Sequence, residues 1–327
     1  VEPFVFFGGK GGVGKTTVSS AYALKCARAG VETLVVSTDP AHSVSDVFEQ
    51  EFGDEPRPVD GVEGLSALEI DPEAEVTSHL NEIRTRLSDQ VSTPMVNEID
   101  QQLEMAHRTP GAYEAALFDR FVDVMRSAGD YDRIVFDTAP TGGTLRLLAL
   151  PDFLESWIDR LMDKRRESID LFEKAAIGNR EPRRVMDGDP ILAHLQERKS
   201  FFEFAGGALR NDATFFLVLN PDQLSVNETE RAIEDMDAEG LGVRGLVANR
   251  LTPEPDPDED GRGARYLRDR IETERDRLAT VRERFDPPLV AEIESRTREI
   301  QGDLLDDVAA ELDVDVTPED PTFVNAG

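Results

Sequence analysis

Residues 4–20 read FVFFGGKGGVGKTTVSS, an apolar run that breaks into glycines and resumes as a helix-type pattern. Within it, Gly9-x-x-x-x-Gly14-Lys15-Thr16 fits GxxxxGK[ST] in the strand–loop–helix setting that gives the motif its meaning. Glycines let successive backbone N–H groups turn inward and face phosphate oxygens without a Cβ in the way. Lys15 then neutralises β- and γ-phosphate charge, Thr16 is the Mg²⁺ ligand, and the helix N-terminus adds its partial positive charge. The whole loop, Gly9, Lys10, Gly11, Gly12, Val13, Gly14, Lys15, Thr16 and Thr17, is a candidate nucleotide site. A phosphate loop needs one lysine; this one carries a second, Lys10.

Short buried-type strand signals recur at FVFFG (4–8), TLVVST (33–38), LSALEI (65–70), DRIVFD (132–137), TFFLVLN (214–220) and VRGLVAN (243–249). Helical patterns separate most of them, over 16–29, 111–128 and 224–239. Continuous apolar strands alternating with helices specify an α/β fold, a mostly parallel sheet with helices on both faces. Residues 72–110 and 152–212 do not fit that alternation; long and helix-patterned, they are expected to form one inserted α-helical subdomain within a single domain spanning 1–327. TPEPDPDEDG (252–261) reads as a mobile acidic loop, and 265–285 as a solvated helix laced with i,i+4 ion pairs.

Two carboxylates end apolar strands where a parallel sheet presents its ligand-binding edge. Asp137 closes DRIVFD in the place of a Walker-B carboxylate, reaching Mg²⁺ through water. Asp39 closes TLVVST and opens DPAHSVSD; the proline after it disfavours helical geometry at Asp39. There it either orients or deprotonates an attacking water, or simply shapes the turn.

The chain holds 67 acidic against 36 basic residues, a net charge of −31, and six of the 36 are lysines. Such a surface suits a cytosol with molar salt, where repulsion is screened to a few ångströms. Nucleic acid is not an expected partner, because phosphate contacts need a basic stripe. No apolar run approaches the roughly 18 residues of a membrane span, and no basic-then-apolar leader argues for secretion. The single cysteine, Cys26, excludes a disulfide framework or a CxxC clamp within one chain, so no zinc site is expected.

GKGGVGKTT resembles the deviant Walker A loop of the P-loop NTPase class that includes nitrogenase iron protein and the division-site and chromosome-partitioning ATPases. STDPAHSVSD, LEIDP, DTAPTGGTLRLLALP (137–151) and LSVNETERAI (224–233), in this order, are similar to one family within it. That is the family of the arsenite-pump-driving ATPase and the tail-anchored-protein targeting ATPase. The match covers 4–72, 109–165 and 214–250 and is weaker in 251–327, where EIQG (299–302) resembles a late family turn.

The resemblance implies an ATPase using ATP and Mg²⁺, with Lys10 reaching the partner subunit's phosphates in a closed homodimer. Asp39 would position the hydrolytic water in a first switch with Pro40, His42 and Ser43. Asp137 would open a second switch with Thr138, Pro140, Gly142 and Gly143, and Asn249 would contact adenine. Hydrophobic transmembrane segments of tail-anchored proteins would be the clients, a membrane receptor a further partner, and the protein would cycle between cytoplasm and membrane. Client-groove candidates are Met95, Val96, Ile99, Leu103 and Met105, with Leu192, Leu195, Phe201, Phe202, Phe204 and Leu209. An apolar stripe at helical spacing is equally a core signature. The alternatives are a subunit energising an arsenite or anion pump, which lacks its thiols here, and a holdase needing no hydrolysis. A membrane-surface partitioning ATPase predicts a basic amphipathic C-terminus; LLDDVAAELDVDV is acidic.

Overall fold

In a computed structural model, the structure describes residues 2–38, 43–71, 74–75, 77, 112–137, 158–167 and 190–316. Among the described residues, eight strands form one sheet: β1 (Phe4–Gly9), β2 (Thr33–Ser37), β3 (Arg57–Pro58), β4 (Leu65–Glu69), β5 (Arg133–Asp137), β6 (Ala213–Leu219), β7 (Val243–Leu251) and β8 (Leu289–Glu294). Their order is β3-β4-β2-β5-β1-β6-β7-β8, and every pairing but β3–β4 is parallel. The helices are α1 (Lys15–Arg28), α2 (Ser43–Phe48), α3 (Ala112–Arg126), α4 (Pro190–Asn211), α5 (Gln223–Ala238), α6 (Arg262–Arg284) and α7 (Asp303–Glu311), with residues 158–167 also helical.

Because side chains alternate across a strand, each apolar strand feeds two cores. Phe4 and Phe6 of β1 face one core with α3, α4 and α5; Val5 and Phe7 face the other with α1, α2 and α7. The six strands read from apolar runs are present within a residue or two of their expected ends. β3 and β8 were not foreseen: β3 is two exposed residues, and β8 lies at the sheet edge, so LVAEIE alternates buried and exposed from its third residue.

Three expectations change. α6 is not solvated all round: Ala264, Ile271, Glu274, Leu278 and Val281 form a buried stripe. Its arginines mostly reach outward rather than along the helix. Arg284 pairs with Glu230, Arg282 with Glu292 and Arg275 with Glu254, whereas Arg270–Glu274 runs i,i+4. The 252–261 loop is tied down, since the Arg268 guanidinium donates to the carbonyls of Asp256, Pro257 and Glu259 at 3.2, 3.4 and 2.7 Å.

The third change concerns the expected helical subdomain. Phe201 and Phe202 of α4 are buried in the core beside Phe118, with centroid separations from it of 6.5 and 6.1 Å. Arg126 and Arg198 guanidinium groups lie 4.9 and 4.7 Å from the Phe201 centroid. Leu209 is buried as well, and α4 continues unbroken through Gly206 and Gly207. The C-terminal half of α4 is therefore a layer on the sheet, not a groove wall. Leu192, Leu195 and Phe204 are half-buried against the same core. Met95, Val96, Ile99, Leu103 and Met105 lie outside the described residues.

Candidate nucleotide site

The loop between β1 and α1 sits at the C-terminal edge of the central strand. Gly9 has φ 144° and lies so close to β6 that a Cβ there would stand 2.3 Å from the Val218 carbonyl oxygen. Gly14 opens α1 in a left-handed conformation, and no side chain caps the helix. The uncapped first-turn N–H groups and a backbone no Cβ obstructs are what an incoming phosphate requires. Lys15, almost buried, donates from Nζ to the Lys10 carbonyl at 3.2 Å. That bond keeps its ammonium folded over the loop.

One row of the sheet carries the other polar groups. Phe7, Asp137, Ser37 and Glu69 are register partners across β1, β5, β2 and β4, so Asp137, Ser37 and Glu69 share a face. The Thr16 hydroxyl donates to Asp137 Oδ2 at 2.6 Å, and the Ser37 hydroxyl approaches the same oxygen at 3.4 Å. Hard oxygen donors from a phosphate-loop threonine and a buried carboxylate, side by side, fit Mg²⁺, which takes few protein ligands and keeps waters and phosphate for the rest.

Asn249 ends the buried part of β7 and donates from Nδ2 to the Val13 carbonyl at 2.8 Å, while its Oδ1 accepts the Arg250 N–H at 2.9 Å. It therefore braces the phosphate loop from below, beside Gly14, whose added Cβ would meet Nδ2 at 2.2 Å. Next to it a cavity of about 250 Å³ is lined by Thr17, Asn249, Arg250, Ser295, Arg298 and Ile300 among others. Glu294, Arg296 and Glu299 complete its polar lining, and Gly14 connects it to the phosphate loop. The 294–300 segment was missed apart from its last residues, because its place beside Asn249 depends on β8 ending beside β7.

Lys10 turns the other way. Its Nζ lies 3.8 Å from Glu228 Oε2 on α5, both about one-third exposed. The structure thus brings together Gly9, Lys15, Thr16, Thr17, Asp137 and Asn249, and sets the Lys10 ammonium against α5. Ser43 begins α2. Asp39, Pro40, His42, Thr138, Pro140, Gly142 and Gly143 lie outside the described residues. Ser37, Glu69 and Glu228 had no assigned role from sequence, although two of them sit inside the quoted LEIDP and LSVNETERAI.

A loop of this geometry, an Mg²⁺-type oxygen pair and a parallel sheet define a nucleotide-hydrolysing protein of the P-loop class. The family described as anion-transporting ATPase matches residues 2–313, and the chain belongs to it; it is an ATPase. Among its relatives, the ATPase ASNA1 homolog 1 of Paramecium tetraurelia is 34% identical over 255 residues, 76% of this chain and 74% of that one. The ATPase GET3 of Chaetomium globosum is 33% identical over 258 residues, 78% and 75% of the two chains. A putative arsenical pump-driving ATPase of Halobacterium salinarum is 35% identical over 319 residues, 95% of this chain but 45% of that protein.

Proposed function

We propose that the chain is a Mg-ATP-hydrolysing homodimer that binds hydrophobic tail-anchored membrane proteins and delivers them to a membrane, with Lys10 acting across the dimer. The similarity to proteins named ASNA1 and GET3 supports the targeting branch. The observation that weighs most against the pump branch is the state of the one cysteine. Cys26 is fully buried on α1, within 3.6 Å of the Arg133 guanidinium, and burial pushes its thiol pKa up. A thiophilic metalloid needs accessible thiolates, and a buried, protonated thiol supplies none.

In this reading Lys15 and the glycine loop bind the phosphates, and Thr16 with Asp137 holds Mg²⁺. When bound, Mg²⁺ offsets the charge that builds on the phosphates. Asp39 aligns the attacking water, and closure exchanges the Lys10–Glu228 contact for one with the partner's nucleotide. The client-binding candidates are then Met95, Ile99, Met105, Leu195 and Phe204, since Phe201 and Phe202 are core. Among the described residues no helix is long and apolar enough to cross a membrane.

The test is co-expression with a protein carrying a C-terminal transmembrane helix, followed by purification in high salt with ATP or ADP. Nucleotide-dependent capture of the helix is expected. Absence of capture together with arsenite-stimulated hydrolysis overturns the proposal in favour of the pump reading.

The net charge of −31 carries its own prediction. Screening length grows from about 3 Å at 1 M salt to about 10 Å at 0.1 M, so acidic side chains repel across the surface as salt falls. The Tm is expected to fall by several degrees between molar and 0.1 M KCl. A Tm independent of KCl removes the halophilic reading.

A further inference from the structure

Glu69 ends β4 with its side chain almost wholly buried, on the sheet row it shares with Ser37 and Asp137. Its Oε1 accepts the backbone N–H groups of Val44 and Ser45, each at 2.9 Å, and its Oε2 accepts the Ser45 hydroxyl at 2.8 Å. Those amides belong to the first turn of α2, which begins at Ser43. The anchor is itself held: the Glu69 N–H donates to the Gly53 carbonyl at 2.9 Å, and Ser45 Oγ accepts the Phe52 N–H at 3.2 Å. Val44 and Val47 add apolar burial against the α1 core.

A buried carboxylate serving one short helix is more than packing requires, since Val44 and Val47 already bury one face of α2. What the carboxylate adds is a fixed position for the helix start relative to the Asp137 row. On the other flank, Thr38, the residue after β2, is buried. The catalytic candidate Asp39 follows Thr38 directly, and only Pro40–Ser43 separate it from Val44.

We propose that Glu69 is a positioning residue for ATP hydrolysis, one that sets the start of α2 and through it the first switch. The inference rests on the reading of Asp39 as the residue that aligns the water. The Lys15 bond to the Lys10 carbonyl and the Thr16 bond to Asp137 do not involve Glu69 and outlast its loss. Binding therefore survives while alignment suffers. A displacement of about 1 Å at a reacting group costs on the order of 10²-fold in rate.

The experiment compares wild type, Glu69→Ala, Glu69→Gln and Ser45→Ala in steady-state hydrolysis, Mg-ADP binding and amide hydrogen exchange. Glu69→Ala is expected to lower kcat about 10²-fold with KM for Mg-ATP and Mg-ADP affinity within about threefold of wild type. Glu69→Gln keeps an amide oxygen for the Val44 and Ser45 N–H groups and should recover part of the rate. Ser45→Ala, which removes the hydroxyl arm and the acceptor for the Phe52 N–H but keeps both N–H bonds to Glu69, should be affected least. Exchange should quicken at Val44 and Ser45 and stay unchanged at Val18 in α1. If Glu69→Ala does not fold, the Glu69→Gln and Ser45→Ala rates decide in the same way. An unchanged kcat, or equal losses of rate and nucleotide affinity, overturns the proposal. Asp39→Asn separates the two readings. Wild-type hydrolysis in that variant removes the Asp39 reading itself, whereas a dead Asp39→Asn beside a fully active Glu69→Ala removes only the role of Glu69.

Discussion

Lys10→Ala is expected to lower kcat by on the order of 10³-fold or more while ATP affinity stays close to wild type. In the proposed reading the groups that bind phosphate do not include its ammonium. Lys15 bonds to the Lys10 carbonyl, which alanine retains, and Thr16 and Asp137 bond to each other. The Lys10 side chain instead reaches Glu228 on α5, a contact that contributes little at one-third exposure. Removing the ammonium therefore costs the ground state almost nothing. A loss confined to kcat is the signature of an interaction made only in the transition state, and a cation that arrives from outside the chain's own loop meets that description.

The trans arrangement has a sharper test. Mixing Lys10→Ala with Lys15→Ala chains, each inactive alone, should restore hydrolysis. In the mixed dimer the Lys15→Ala chain donates its intact Lys10 to a nucleotide held by the other chain's intact Lys15. Absence of recovery in a dimer shown to be mixed places Lys10 in its own site. Full activity of Lys10→Ala alone dismisses the lysine altogether.

What was legible in the chain follows from where the information sits. Strands β1, β2, β4, β5, β6 and β7 announce themselves because both of their faces are covered, which forces apolar residues at nearly every position. β8 is an edge strand and needs an apolar residue only at alternate positions, so LVAEIE passes for a loop end. The phosphate loop is legible because its function is local: glycine spacing, a lysine and a threonine lie within one turn of backbone. Glu69 is the opposite case. Nothing near LEIDP distinguishes a carboxylate that anchors α2 from one at any strand end. Its meaning comes from register with Ser37 and Asp137 and from a helix 24 residues away in sequence. Phe201 and Phe202 show the same limit for apolar residues. Helical spacing identifies a stripe, but only the presence of Phe118 across from it decides between core and groove.

Gly9→Ala should be the most damaging glycine change in the loop, and Gly12→Ala among the mildest, although both residues have positive φ. At Gly12, φ is 78° and an added Cβ meets nothing within 4 Å. The cost there is conformational, about 1–2 kcal/mol for a non-glycine residue in the left-handed region. A stiffer unfolded chain offsets about 0.4–1 kcal/mol of it. At Gly9, φ is 144° and the Cβ would sit 2.3 Å from the Val218 carbonyl oxygen, 3.2 Å from its carbon and 3.3 Å from Val13 Cγ2. A side-chain neighbour could rotate away; the β6 backbone cannot, because Gly9 and Val218 are register partners in the centre of the sheet. Backbone strain of about 1–3 kcal/mol and overpacking of a similar size then act together, for about 2–6 kcal/mol in all. The strain also falls where the loop leaves the strand, so the N–H groups that face phosphate are displaced with it. Urea unfolding should show a clear drop in midpoint for Gly9→Ala and a small one for Gly12→Ala, and nucleotide binding should be lost in the first. Equal midpoints for the two variants would mean that β1 and β6 separate at little cost, which a doubly covered parallel pair does not permit.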